Sequence, residues 1–251
     1  MALQAELKKK LKHYTLDVSL SCERGKILSI VGPSGAGKTT VLRMIAGLDR
    51  PDSGIVACRG RVWEDTRNKV HISTQERKLA MVFQDFPLFP HCSLLKNICF
   101  TVRDRERAQD LMKMFGIWHL KKSRPQAVSG GERQRAAICQ ALAREPEVLL
   151  LDEPFSALDA MNRRNLREML KSLKSKLGIP IVHVTHDIRE ALFLADEILP
   201  VVRGRVEQKW LLQFMVLDRD SRRMQCSDAA MRRRSEEDDE IHLTIPKREY
   251  M

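Results

Sequence analysis

No apolar run in this 251-residue chain approaches the ~20 residues that a membrane-spanning helix needs. Runs such as Val148–Leu151 and Ile198–Val202 are far shorter. Lys8, Lys9 and Lys10 stand near the N-terminus, but no apolar stretch follows them that could act as a signal peptide. A soluble protein is therefore expected, with any membrane role exerted through a partner. The six cysteines, at 22, 58, 92, 99, 139 and 226, include no CxxC pair, so neither a zinc site nor a disulfide framework is indicated. Reduced thiols in a cytosolic protein are the expectation. Aromatic residues make up only 5% of the chain and are not interleaved with its basic residues as a base-stacking platform requires. The net charge of +11 is compatible with nucleic acid, anionic headgroups or polyanionic ligands, but the charges are spread along the chain and read as a solvated surface. No internal repeat is visible, which limits the chain to one site of its kind.

What is present is enough for a folded core, since 43% of the residues are hydrophobic. Strand and helix signals alternate, the pattern of an α/β protein. Lys26–Val31 reads as a buried strand that runs straight into GPSGAGKTT, and residues 40–47 then show helical spacing. Leu48–Gly54 reads as a loop, and Ile55–Val62 and Leu79–Phe83 as further strands. Between about 86 and 144 the composition shifts to helix formers, which suggests a helical insertion. Short apolar strands return at Val148–Leu151, Ile181–Val184 and Ile198–Val202, with a charged helix over Met161–Leu177. From about Asp218 the pattern decays into charge blocks such as RRRSEEDDE. The expected organisation is one domain over 1–217 and a mobile tail over 218–251.

Gly32–Thr39 fits GxxxxGK[ST] and lies between a strand and a helix, where a P-loop must lie. Its glycines let successive backbone N–H groups turn inward around phosphates. Lys38 is placed to reach the β- and γ-phosphates, and the Thr39 hydroxyl to ligate Mg²⁺. The bland alternative, a glycine-rich turn with an incidental lysine, does not explain the strand–loop–helix context. In VLLLDEP (Val148–Pro154), Asp152 emerges at the C-terminal end of a buried strand, where open α/β sheets bind ligands. Asp152 is a candidate to hold Mg²⁺ through its hydration shell, and Glu153 a candidate general base for an attacking water. Two solvated acids at a capped helix start are the bland alternative.

Ser129–Arg135 (SGGERQR), between these two elements, resembles the signature motif of ABC ATPases, with Val128 and Glu132 in place of the usual leucine and glutamine. Further elements follow in that family's order. Gln84 in VFQD resembles the Q-loop glutamine, which senses Mg²⁺ and water. Ser156–Asp159 (SALD) resembles the D-loop, and His186 in VTHD the switch histidine. Tyr14 resembles the aromatic residue that stacks on adenine, although a plain core or surface tyrosine fits equally. His183, inside a strand, is expected to be a core residue. The resemblance covers about residues 3–208. It implies a RecA-like P-loop NTPase core with a small antiparallel β region and an inserted helical subdomain. It also implies ATP and Mg²⁺ as ligands. Gly32, Pro33, Ser34, Gly35, Ala36, Gly37, Lys38, Thr39 and Thr40 would hold the nucleotide. Ser129, Gly130, Gly131, Glu132 and Asp159 would act from a second copy in a head-to-tail dimer. Glu153, His186 and Gln84 would be catalytic, and Thr39, Gln84 and Asp152 would serve the metal.

VFQDFPLFPHCSLLKNI (Val82–Ile98) resembles the segment by which bacterial uptake ATPases receive a membrane subunit, and Phe86, Leu88 and Phe89 either shape that groove or fill the core. EPFSALDAMNRRNLREMLKSL and THDIREALFLAD are likewise similar to the importer branch, and LKHYTLDVSL to its molybdate, tungstate and sulfate group. The resemblance implies a peripheral ATPase on the cytoplasmic face of the membrane. Its partners would be a permease and, indirectly, a periplasmic or extracellular solute-binding protein, with no nucleic acid. An exporter subunit, or a soluble ABC ATPase working on nucleic acid, the ribosome or cofactor assembly, is the alternative. A catalytically dead module is disfavoured by the presence of Glu153 and His186. The familiar pattern stops near Gln208, so no C-terminal regulatory domain, and no anion sensing by this subunit, is expected.

Overall fold

The computed structural model describes residues 2–214 apart from Phe86, Thr101, Arg103 and Ala157, and the expected charged tail over 218–251 lies outside the described residues. The chain separates into two units, 1–207 and 208–251, and in the second residues 208–214 are helical.

In the first unit, β1 (Leu3–Lys10) and β2 (Thr15–Cys22) bury every other residue: Leu3, Ala5 and Leu7 on one, Leu16, Val18 and Leu20 on the other. This period-two alternation belongs to a sheet with one wet face. Then β3 (Ile27–Val31) is buried throughout, as a strand covered on both faces must be, and leads into α1 (Lys38–Ala46). The stretch read as one strand over 55–62 is instead a hairpin, with β4 (Ser53–Cys58) and β5 (Arg61–Asp65) paired antiparallel. Arg59 and Gly60 turn between them with φ of 49° and 81°, the two positive values that a twist-matched two-residue hairpin turn demands. The chain continues through β6 (Val70–His71) and β7 (Leu79–Val82).

Helices α2 (Leu94–Cys99), α3 (Arg105–Met114) and α4 (Gly130–Ala143) make up the helical region, followed by β8 (Val148–Asp152) and α5 (Ala160–Leu177). Leu166, Leu170 and Leu173 give α5 its buried stripe. β9 (Ile181–Thr185), α6 (Ile188–Leu194), β10 (Glu197–Val202) and β11 (Arg205–Val206) complete the unit.

Among the described residues the strands form one sheet in the order β6-β5-β4-β1-β2-β11-β10-β3-β9-β8-β7. From β10 to β7 all neighbours are parallel, and from β6 to β2 all are antiparallel. The parallel part divides its side chains between two cores. Leu149, Leu151 and Ile181 pack with the helical region, while Leu150, Val182 and Val184 pack with α1 and the antiparallel part.

Arg77, just before β7, joins these pieces. Its side chain is fully buried and ion-paired to Glu64 Oε2 at 2.8 Å. Nη1 donates to the carbonyls of Met44 (3.1 Å) and Ile45 (2.7 Å) at the end of α1, and Nη2 to Trp63 O (3.3 Å). The guanidinium also lies over the Trp63 ring. Here a cation occupies the negative end of a helix dipole and donates to carbonyls of the last turn, one of which, Met44 O, also accepts from Gly47 N (3.1 Å). Arg77→Met should lower the unfolding free energy by about 3 kcal/mol, because the buried Glu64 carboxylate loses its guanidinium partner and keeps only the part-buried His71 ring at 2.6 Å. Urea unfolding followed by tryptophan fluorescence measures this. An added Glu64→Gln should recover part of the loss, and an unmoved midpoint in Arg77→Met would contradict the assignment.

Candidate functional site

The carboxyl ends of β3, β8 and β9 lie side by side, because β3 and β8 both pair in parallel with β9, and the candidate residues emerge there. From β3 the chain enters the loop Gly32–Gly37. A Cβ at Gly32 would come 1.9 Å from the Val201 carbonyl oxygen, so the loop can pass β10 only without a side chain. Gly37 has φ of 98°, a left-handed value, and starts α1. The first N–H groups of α1, with no partner inside the helix, thus open onto the loop. Pro33, Ser34 and Gly35 are exposed, Ala36 is buried and Thr40 is half-buried. The buried Lys38 turns its Nζ back onto the carbonyls of Gly32 (2.8 Å) and Pro33 (3.0 Å). Burial lowers its pKa, and the carboxylates of Glu153 and Asp152 oppose that shift. The Tyr14 hydroxyl donates to the Gly35 carbonyl, which puts this ring at the rim of the loop.

Thr39 Oγ1 donates to Asp152 Oδ1 at 3.0 Å. Asp152 is buried, and burial raises its pKa while the Thr39 hydrogen bond pulls it down. Glu153 follows in a left-handed conformation, φ 44°, rare for a side chain of this type and costing of order 1–3 kcal/mol. That conformation is held by its N–H donating to Val184 O (3.0 Å) and by Ser156 Oγ donating to its carbonyl (3.0 Å). The carboxylate Oε2 lies 2.8 Å from His186 Nδ1, on a ring that is largely exposed. A cleft of about 70 Å³ opens here among Glu153, Ser156 and His186, with Arg163, Thr185 and Glu190 also in its wall.

The structure thus brings Lys38, Thr39, Asp152, Glu153 and His186 to one edge of the sheet and places Tyr14 on the loop. Gln84 sits in an exposed turn after β7. Ser129–Glu132 begin α4 as a closed capping box. Ser129 Oγ accepts from Glu132 N (3.3 Å), and Glu132 Oε2 accepts from Ser129 N (2.8 Å), which holds the Glu132 carboxyl below its usual value. Asp159 caps α5 by accepting from the N–H groups of Met161 (3.1 Å) and Asn162 (3.0 Å). The hydrogen bonds of these two turns stay local, unlike those that join β3, β8 and β9.

Residues 15–156 match the family described as ABC transporter. The chain belongs to the ABC transporter family. A probable sulfate/thiosulfate import ATP-binding protein of Chlorella vulgaris is 40% identical over 199 residues, covering 76% of this chain and 82% of that one. The sulfate/thiosulfate import ATP-binding protein of Vibrio cholerae is 44% identical over 203 residues, covering 76% and 52%. The chain spans about half the length of such longer curated relatives. Among solved structures, a bacterial ABC transporter cassette described as dimeric is 31% identical, with a TM-score of 0.68 over 82% of this chain and 97% of that one.

Sequence reasoning on this ABC protein passed over Arg163, Thr185 and Glu190. Glu190, a lone acid on the apolar face of α6, is the one with a visible signal. His183, expected in the core, is there: Nδ1 lies 3.0 Å from Ser29 Oγ, and the ring meets Phe155 edge-on at 5.5 Å. Burial pushes its pKa down to about 3. The native state therefore keeps this imidazole neutral while the unfolded chain protonates it near pH 6.5. Its contribution is complete above pH 6.5 and is lost as pH falls from there towards 3, at up to about 1.4 kcal/mol per unit. Urea midpoints between pH 7 and 5 should fall more steeply for the parent chain than for His183→Leu, whatever the absolute stability of the variant. Equal slopes would remove the assignment.

Proposed function

We propose that this chain is the ATP-hydrolysing subunit of an importer that takes up sulfate or a related oxyanion through a separate membrane permease. The observation that carries the reading is the convergence, at one sheet edge, of the Thr39–Asp152 hydrogen bond and the Glu153–His186 pair beside the Lys38 loop. A glycine-rich loop, an orphaned helix N-terminus and a buried ammonium fit a polyphosphate. The Thr39 hydroxyl and the Asp152 carboxylate offer hard oxygen ligands of the kind Mg²⁺ takes alongside phosphate and water. When bound, that ion neutralises charge on the phosphate oxygens.

Lys38 and the loop Gly32–Thr39, through the backbone N–H groups of its residues other than Pro33, hold the phosphates, and Tyr14 flanks the base. Glu153 accepts a proton from the attacking water, and His186 orients the Glu153 carboxylate and the transferring group. Gln84, on the turn leaving β7, reports on the site from the groove side. Ser129, Gly130, Gly131, Glu132 and Asp159 complete the site of a second copy; the bonds described for Ser129, Glu132 and Asp159 close within their own turns and do not tie them to Lys38 or Glu153 of the same chain. Import is supported by the relatives' printed function and by an apolar groove of about 460 Å³ beside β7 and α4, whose wall includes Phe83, Pro87, Phe89 and Phe100. The rings of Phe89 and Phe100 meet tilted, with centroids 4.6 Å apart, yet both stay exposed, as side chains awaiting a partner's helix do. Phe86 lies outside the described residues. No helix among the described residues is long and apolar enough to cross a membrane; in this reading the subunit attaches peripherally, through the permease, at the cytoplasmic face. A solute-binding protein acts on the far side.

Glu153→Gln should cut ATP turnover by about 10²-fold or more while leaving nucleotide binding intact, since only the base is lost. Size-exclusion chromatography with ATP should then show a trapped dimer; turnover at the parent rate would remove the base assignment. Purification of the tagged chain from detergent-solubilised membranes should recover a multi-span permease, and Phe89→Asp should abolish that recovery. Recovery of ribosomal or nucleic-acid-binding proteins alone would overturn the importer.

A further inference from the structure

His186 is largely exposed, and its side chain is held by the Glu153 carboxylate. What holds its backbone lies one residue to either side. Thr185 Oγ1 accepts from Asp187 N at 3.0 Å, spanning His186 in a closed turn. The same hydroxyl donates to Glu190 Oε2 at 2.8 Å. Asp187 in turn caps α6 by accepting from Arg189 N (2.8 Å) and Glu190 N (3.4 Å). Both neighbours of His186 are therefore tied to Glu190, one through its side chain and one through its backbone.

Glu190 is itself 4% exposed. A buried acid is costly unless it is paired, and a leucine or methionine in its place would pack at no such cost. Its partner on the other side is Arg163, whose Nε lies 3.8 Å from Glu190 Oε1. Arg163 Nη2 donates to the Leu158 carbonyl at 3.0 Å, in the D-loop. Next to Arg163, Asn162 Nδ2 donates to the Asp159 carboxylate at 2.6 Å. The Asn162 side chain also fills the space at Gly131, where a Cβ would come within 3.0 Å of Asn162 Cγ. The first turn of α5 thus touches the D-loop, the SGG turn and, through Glu190, the turn that carries His186.

We propose that Glu190 is a positioning residue for His186, acting through the Thr185 hydroxyl, with Arg163 tying its carboxylate to the D-loop carbonyl of Leu158. The kinetic part rests on the ATPase reading above. In it, His186 reaches its working position only while the Thr185–Glu190 bond holds the turn. Arg163 makes that position depend on where the D-loop lies.

The test compares the full-length parent with Glu190→Gln, Thr185→Val and Thr185→Ser. In Thr185→Val the hydroxyl is gone while the shape is kept, whereas Thr185→Ser preserves both hydrogen bonds. Thr185→Val should lower kcat for ATP about tenfold, and Glu190→Gln, which keeps an acceptor oxygen for the Thr185 hydroxyl but loses the charge facing Arg163, by less than that, with KM within about twofold in both, because substrate-binding groups are untouched. Thr185→Ser should stay near the parent. The second readout needs no turnover: in ¹⁵N-histidine-labelled protein, the His186 ring resonances, assigned by their loss in His186→Gln, should move in Thr185→Val and Glu190→Gln but not in Thr185→Ser. Unmoved His186 resonances, or a kcat per folded molecule unchanged in Thr185→Val, would overturn the proposal. A parent that does not hydrolyse ATP at all sinks the ATPase reading instead, and the resonances still decide the positioning. If Glu190→Gln does not fold, Thr185→Val carries both readouts.

Discussion

Thr39 and Asp152 stand 113 residues apart in sequence and meet through one hydrogen bond of 3.0 Å, and the arrangement of the site depends on what makes that meeting possible. The constraint is the parallel register of β3, β9 and β8. Ile30 pairs with Val184, and Asp152 with Val184, so the three strands end level with one another. All three are buried along their length, and a charged side chain can leave such a strand only at its end. Lys38, Asp152, Glu153 and His186 are therefore crowded together by the same burial that stabilises the sheet. Charge placement and core formation are two results of one register.

Crowding has local costs. Asp152 and Lys38 are both taken partly out of water, with pKa values shifted in opposite directions by the same desolvation. Glu153 adopts a left-handed backbone because the strand must end and its carboxylate must turn towards the β9 side in the same step. The Val184 carbonyl and the Ser156 hydroxyl hold it there. Backbone strain at a residue whose side chain meets His186 is a common feature of sites that must be set before a substrate arrives.

Much of this was legible in the sequence, for a physical reason. Fully buried strands are written as short, mostly apolar runs, so Lys26–Val31, Val148–Leu151 and Ile181–Val184 are legible as strands, and so is the glycine pattern that must follow the first. The alternation in LQAEL and LDVSL was equally present but weak, diluted by Lys8, Lys9 and Lys10, and β1 and β2 were not read as strands. The β4–β5 turn was hidden because Arg59 lacks the usual signature of a residue at positive φ. Pairings such as Arg77 with Glu64, or Thr185 and Arg163 with Glu190, were out of reach. Nothing in the local pattern tells a buried charge from a solvated one, and the partner is chosen by the fold.

The clamp at Arg77 gives α1 an unusual mechanical character. Nine residues long, this helix spans about 13 Å from its first to its last residue. Its amino end continues the Gly32–Gly37 loop, and its carboxyl end is gripped by a guanidinium that belongs to the segment leading into β7. A short helix held at both ends has no slack. It behaves as a rod between two bearings, one of them Lys38's loop and the other the strand that runs to Gln84. A push on that strand along the helix axis would therefore be felt at the Gly32–Gly37 loop, through α1.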